Sequence, residues 1–259
     1  GDDGEGWLHG AEHTQPRLAS STPMRQRSPL FWALLAGALV IVAAFAPVLW
    51  QMQAPPADPA AADGALPAPW QIERDAAGTV RAFGLRLPGS TLADARARWG
   101  EELQVALIAK RGQPAALEAY VERYVGGGVG GKLVLASDAD AQSVQRWQER
   151  SLKREVIDAD AQRWRLHPDD RAEALRTHVA GLSFLPANRL DEAALQARFG
   201  QPAERRPGEG STQHWLYPAQ GLAIAWDADS GRSLVQLVAS ADFERRLRAP
   251  LAAASSPAR

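Results

Sequence analysis

The chain has 259 residues, with 29 Lys plus Arg, 30 Asp plus Glu and a formal net charge of -1. That balance lacks the basic excess of a nucleic-acid binder, so no nucleic-acid partner is expected. The absence of cysteine excludes a disulfide framework, thiol catalysis, cysteine metal sites and a lipoprotein anchor.

Residues 1–29 form a polar tail, expected in the cytoplasm. Leu30 to Trp50 then reads LFWALLAGALVIVAAFAPVLW, without a charge. As a helix this run spans about 31 Å, close to the ~30 Å hydrocarbon core of a bilayer. Trp32 and Trp50 lie where indole rings favour the membrane interface, and Arg25 and Arg27 precede the run. The expectation is a transmembrane helix over 30–50 that uses the lipid bilayer as partner. The chain is then a bacterial inner-membrane protein, single-pass, with a cytoplasmic N-terminus and a periplasmic C-terminal domain. A cleaved signal peptide is the rival reading, since Ala44-Phe45-Ala46 has a cleavage-site form, but Pro47 follows it. Residues 51–69 are a Pro/Ala linker.

Beyond the linker a short pattern occurs twice. Gly84-Leu85-Arg86-Leu87-Pro88 leads to a helix-like stretch ending Trp99-Gly100. Gly181-Leu182-Ser183-Phe184-Leu185-Pro186 leads to one ending Phe199-Gly200. Ser90 or Thr91, and Asn188 or Asp191, are candidate N-caps, and the two glycines are helix stops. The expected fold class is α+β: two related small helix-plus-antiparallel-sheet units, 70–137 and 179–250, joined by a helical connector over 138–178. Residues 251–259 are a disordered tail.

Within the first unit, 105–109 and 132–136 are expected strands. Pro114 opens an expected helix whose apolar face is Leu117, Tyr120, Val121, Tyr124 and Val125, ended by Gly126. In the second unit, 213–217, 222–227 and 233–238 form an expected meander with turns at 218–221 and 228–231. Phe243, Leu247 and Leu251 suggest a last short helix.

Gly126-Gly127-Gly128-Val129-Gly130-Gly131-Lys132 satisfies two phosphate-loop patterns. Leu133 stands where a P-loop needs Ser or Thr, and the expected order is helix, loop, strand. The stretch therefore reads as a connector or ligand-facing loop, and no nucleotide is expected. Of His9, His13, His167, His178 and His214, the first two lie in the N-terminal tail outside the expected fold, and no H-E-x-x-H occurs, so a zinc hydrolase is not expected. Asp227-Ala228-Asp229-Ser230-Gly231 begins like a calcium loop, but Val238 occupies the twelfth position, so a hairpin turn is expected. Asp169 and Asp170 read as solvated helix-end residues. No catalytic, cofactor or metal residue is assigned.

Phe199-Gly200-Gln201-Pro202, Trp215-Leu216-Tyr217 and Ile224-Ala225-Trp226-Asp227 together resemble the SmpA/OmlA (BamE-like) envelope domain over about residues 182–240, with a fainter echo at 84–100. The resemblance implies a non-enzymatic α+β module that binds an envelope protein. The expected function is accessory or scaffolding, with Trp215, Tyr217 and Trp226 as interaction residues. An envelope hydrolase or small-ligand-binding domain is the alternative.

Overall fold

The computed structural model describes residues 68–157 and 160–251. A small antiparallel sheet comes first: β1 (Glu73–Arg74), β2 (Val80–Ala82) and β3 (Leu85–Leu87). Then follow α1 (Leu92–Trp99), β4 (Leu103–Lys110), β5 (Ala116–Gly126) and β6 (Val129–Ser137). The middle of the chain contributes α2 (Ala141–Glu149), β7 (Lys153–Val156), β8 (Ala161–Arg165) and α3 (Pro168–Leu175). The last part holds β9 (Val179–Pro186), α4 (Glu192–Phe199), β10 (Glu204–Pro207), β11 (Thr212–Tyr217), β12 (Leu222–Asp227) and β13 (Ser233–Val238).

The expectation of two separate α+β units is corrected by the strand pairing. Ten strands form one sheet in the order β10-β11-β12-β13-β9-β6-β5-β4-β8-β7, and every paired neighbour is antiparallel. β9 is the seam. It pairs with β13 on one side and with β6 on the other, so Leu182 lies between Leu237 and Leu135. The strand that precedes α1, by contrast, has left the large sheet for the small one. There Phe83 turns back under it, with its ring centroid 5.2 Å from Tyr124 and 5.5 Å from Phe184.

The 138–178 connector is corrected as well. Among its described residues only α2 and α3 are helical, and between them β7 and β8 pair as a hairpin added to the edge of β4. Lys153-Arg154-Glu155-Val156 has no apolar stripe at helical spacing, and Trp164, paired opposite Leu107, packs partly buried against the core.

β5 replaces the helix expected after Pro114. Leu117, Ala119 and Val121 alternate onto the helix-covered face, as a strand requires. A register shift between Val121 and Tyr124 then inserts an extra residue and returns Tyr124 to that same face. Tyr120 is buried on the opposite face. Burial on both faces plus a bulge thus imitates the spacing of a helix.

The two short helices α1 and α4 follow from their caps. Thr91 Oγ1 accepts from Asp94 N at 3.2 Å, and Asp94 Oδ2 accepts from Thr91 N at 2.7 Å, a reciprocal capping box. Asp191 Oδ1 accepts from Ala194 N at 2.7 Å. Gly100 and Gly200 end the helices with φ of 53° and 75°. Leu92, Ala95 and Trp99 of α1, and Leu195 and Phe199 of α4, are buried in the main core on one side of the large sheet. On the other side Phe243 and Leu247, from the helical stretch that follows β13, cover Leu216, Ala223 and Val238.

The single-pass inner-membrane placement is also corrected. Among the described residues no helix is long and apolar enough to cross a membrane. The Leu30–Trp50 run on which that placement rested lies outside the described residues, together with Arg25, Arg27, Trp32, Trp50 and most of the Pro/Ala linker.

Candidate interaction surface

Trp215, Tyr217 and Trp226 are the residues expected to meet a partner. The register instead puts them on one side. Trp226 pairs with Gln213 and Trp215 with Ile224, so all three rings point toward the helices, where they are buried. The rings of Trp215 and Trp226 meet edge to face, with centroids 5.9 Å apart. Trp226 Nε1 donates to Leu190 O at 2.8 Å, and Tyr217 Oη donates to Gly200 O at 3.0 Å. Burial pushes the Tyr217 phenol up to about 12. These residues pin α4 and its flanking turns onto the meander and offer no ring to a partner.

The glycine-rich stretch is a hairpin between β5 and β6. Gly127 and Gly128 carry φ of 56° and 75°, the left-handed pair that a two-residue hairpin turn needs. Gly131 lies within β6, where a Cβ would fall 2.4 Å from Leu185 O and 2.5 Å from the Phe184 ring. Lys132 is buried, with Nζ 2.8 Å from Glu122 Oε1 and 5.1 Å from the Tyr120 ring centroid. The strand-loop-helix geometry of a phosphate cradle is not formed here.

The remaining polar motifs have local explanations. Asp227 Oδ1 accepts from Ser230 N at 2.7 Å in the β12–β13 turn, which lowers the carboxyl pKa. His167 caps α3 by accepting from Asp169 N at 3.3 Å. Asp170 is buried against Arg150 at 3.2 Å and is not the solvated residue expected. His214 is half-buried, and desolvation lowers its pKa. A cleft of about 520 Å³ at the seam holds His178, Asp138, Asp242, Arg245 and Arg246. His178 Nδ1 is 3.5 Å from Asp138 Oδ2, but no Ser, Thr or Lys lines the cleft to act as a nucleophile. Among the described residues no group of three His, Asp or Glu could hold a metal ion.

Among the described residues the large exposed apolar side chains gather mainly at the β7 edge. Leu152 is 56% exposed, Val156 72% and Ile157 36%, and they lie within six residues of one another. The fourth large exposed apolar residue, Val125, belongs to the β5–β6 hairpin. Among the described residues β7 pairs only with β8. Ile157 N donates to Ala161 O at 2.9 Å. By the alternation of an antiparallel ladder, residues 153 and 155 also face β8, and the N–H and C=O groups of Arg154 and Val156 point away from the sheet.

The charges of β7 are drawn back onto their own sheet. Glu155 sits 2.8 Å from Lys153 Nζ and accepts from Arg163 Nε at 3.1 Å. These two cations hold the Glu155 carboxyl down at about 2. Arg163 also donates to Tyr120 Oη, which donates to Gln104 Oε1 at 2.6 Å. On the opposite side of the strand, the Arg154 guanidinium lies 5.8 Å from the Trp164 ring centroid. The β-branched pair Val156-Ile157 is the sequence signal for this edge. It was hidden because the segment reads as part of a charged helical connector.

No protein family, characterised protein or solved structure was found to match this chain. The resemblance of residues 182–240 to SmpA/OmlA domains therefore stands on its short motifs alone.

Proposed function

We propose that this chain is a non-enzymatic protein-interaction domain whose working surface is the β7 edge, where it receives an extended segment as an added strand. The observation that carries this reading is the coincidence, in one short stretch, of three exposed large apolar side chains with a strand edge that, among the described residues, is unpaired at Arg154 and Val156. Strand addition draws affinity from main-chain hydrogen bonds and specificity from alternate side chains. Each such bond is worth a net ~0.5–1.5 kcal/mol, and covering a valine adds about 1.5–3 kcal/mol at most. Edge strands are commonly guarded by charges that deter pairing. Here Glu155 is engaged by Lys153 and Arg163, and Arg154 lies over Trp164, so the charges of this edge are locally compensated.

A hydrolytic role has weaker support, because the seam cleft brings a His–Asp pair together without a Ser, Thr or Lys beside it. The test places a photo-crosslinking amino acid at Val156 of the full chain in its native cell, with Asp229 in the β12–β13 turn as the control position. The expected result is a crosslink from position 156 that maps to one extended segment and is missing from position 229. Equal crosslinking from both positions, or none from 156, overturns the reading.

A further inference from the structure

We infer that the strand received by β7 is β7 of a second copy of this chain, so that two ten-stranded sheets join edge to edge about a twofold axis at Arg154. This rests on the reading of β7 as a docking edge and adds the identity of its occupant. Self-pairing requires that a strand complement its own reverse. In an antiparallel arrangement centred on Arg154, Lys153 lies beside Glu155 of the second copy, and Glu155 beside its Lys153. Opposite charges thus meet twice, on the face that already carries Arg163. Leu152 lies just before β7 and turns its N–H inward to Arg165 O at 3.1 Å, so Val156 is the exposed apolar residue that this arrangement sets against the second copy.

The backbone suits this register. Arg154 presents its N–H and C=O outward, so the two Arg154 residues form the hydrogen-bonded pair at the axis. Their side chains are like charges placed opposite each other. Each guanidinium, however, is drawn toward its own Trp164, 5.8 Å from the ring centroid, and away from the axis. Moving the axis to Glu155 would instead set Glu155 against Glu155 and Lys153 against Ile157, losing both ion pairs and opposing two carboxylates. The charge order therefore selects the Arg154-centred pairing.

Sedimentation equilibrium of the full chain over a range of concentrations tests this. The wild type is expected to show a reversible monomer–dimer equilibrium. Lys153→Glu and Glu155→Lys each oppose like charges at both pairs, and each alone should raise the dimer Kd about tenfold or more. Mixing the two variants restores opposite charges at both pairs, so the mixture should dimerise again. Val156→Pro removes an outward N–H without touching the β8 ladder and should also give monomer. A dimer that survives Val156→Pro, or a mixture no tighter than either variant alone, overturns the proposal. A wild type monomeric at every concentration overturns it too. In that last case a crosslink from position 156 to a different protein leaves the docking edge standing, and the absence of any crosslink removes both.

Discussion

Truncation of Trp226 separates a core role from a surface role. The ring is buried beside Trp215 and under α4, and its Nε1–H satisfies Leu190 O at 2.8 Å. Trp226→Ala removes the ring and leaves a cavity, which costs about 3–5 kcal/mol for a large aromatic. It also strips Leu190 O of its donor, a further loss of about 1–3 kcal/mol if water cannot enter. Against a typical stability of ~5–15 kcal/mol this is a large fraction. Trp226→Phe keeps most of the apolar contact and loses the donor, so it should cost much less, about 1–3 kcal/mol. The assay is urea denaturation followed by far-ultraviolet circular dichroism, comparing midpoints at constant slope. A loss below about 1 kcal/mol for Trp226→Ala, with the slope unchanged, would refute the assignment of this ring to the core.

Two other outcomes follow from single residues. Burial raises Glu118 from 4.5 to about 6, while Lys110 and Lys132 pull it down. With the folded value above the unfolded one, the proton-linked stability is fully present below pH 4.5 and is lost as pH rises through about 6. Glu118→Gln should therefore stabilise the chain by up to about 2 kcal/mol at pH 7.5 relative to its effect at pH 4; a difference independent of pH in matched urea melts would contradict this. Gly131→Ala drives a methyl into Leu185 O and the Phe184 ring at the β6–β9 seam, so a loss of about 1–3 kcal/mol is expected in the same assay. An unchanged midpoint would show that the seam can open at no cost.

What the sequence by itself determined is the local structure. Leu222–Asp227 and Ser233–Val238 form strands with the ends read from alternation and turn residues, because those signals lie within a few residues of the structure they specify. Thr91 and Asp191 cap their helices for the same reason. The interaction residues were legible only as aromatic. Alternation showed that Trp215 and Tyr217 share a face, and only pairing with β12 showed that this face, with Trp226, is the buried one. Tertiary structure alone decided that β9 accepts both β6 and β13. That choice depends on backbone groups distant in sequence, and it merged two expected units into one sheet. It also decided that Leu117 to Tyr124 is a bulged strand, since a segment buried on both faces has lost the alternation that would mark it. The β7 edge belongs to this second class. Val156 and Ile157 were visible as β-branched residues, but their exposure follows from β8 docking on β4, which leaves β7 outermost.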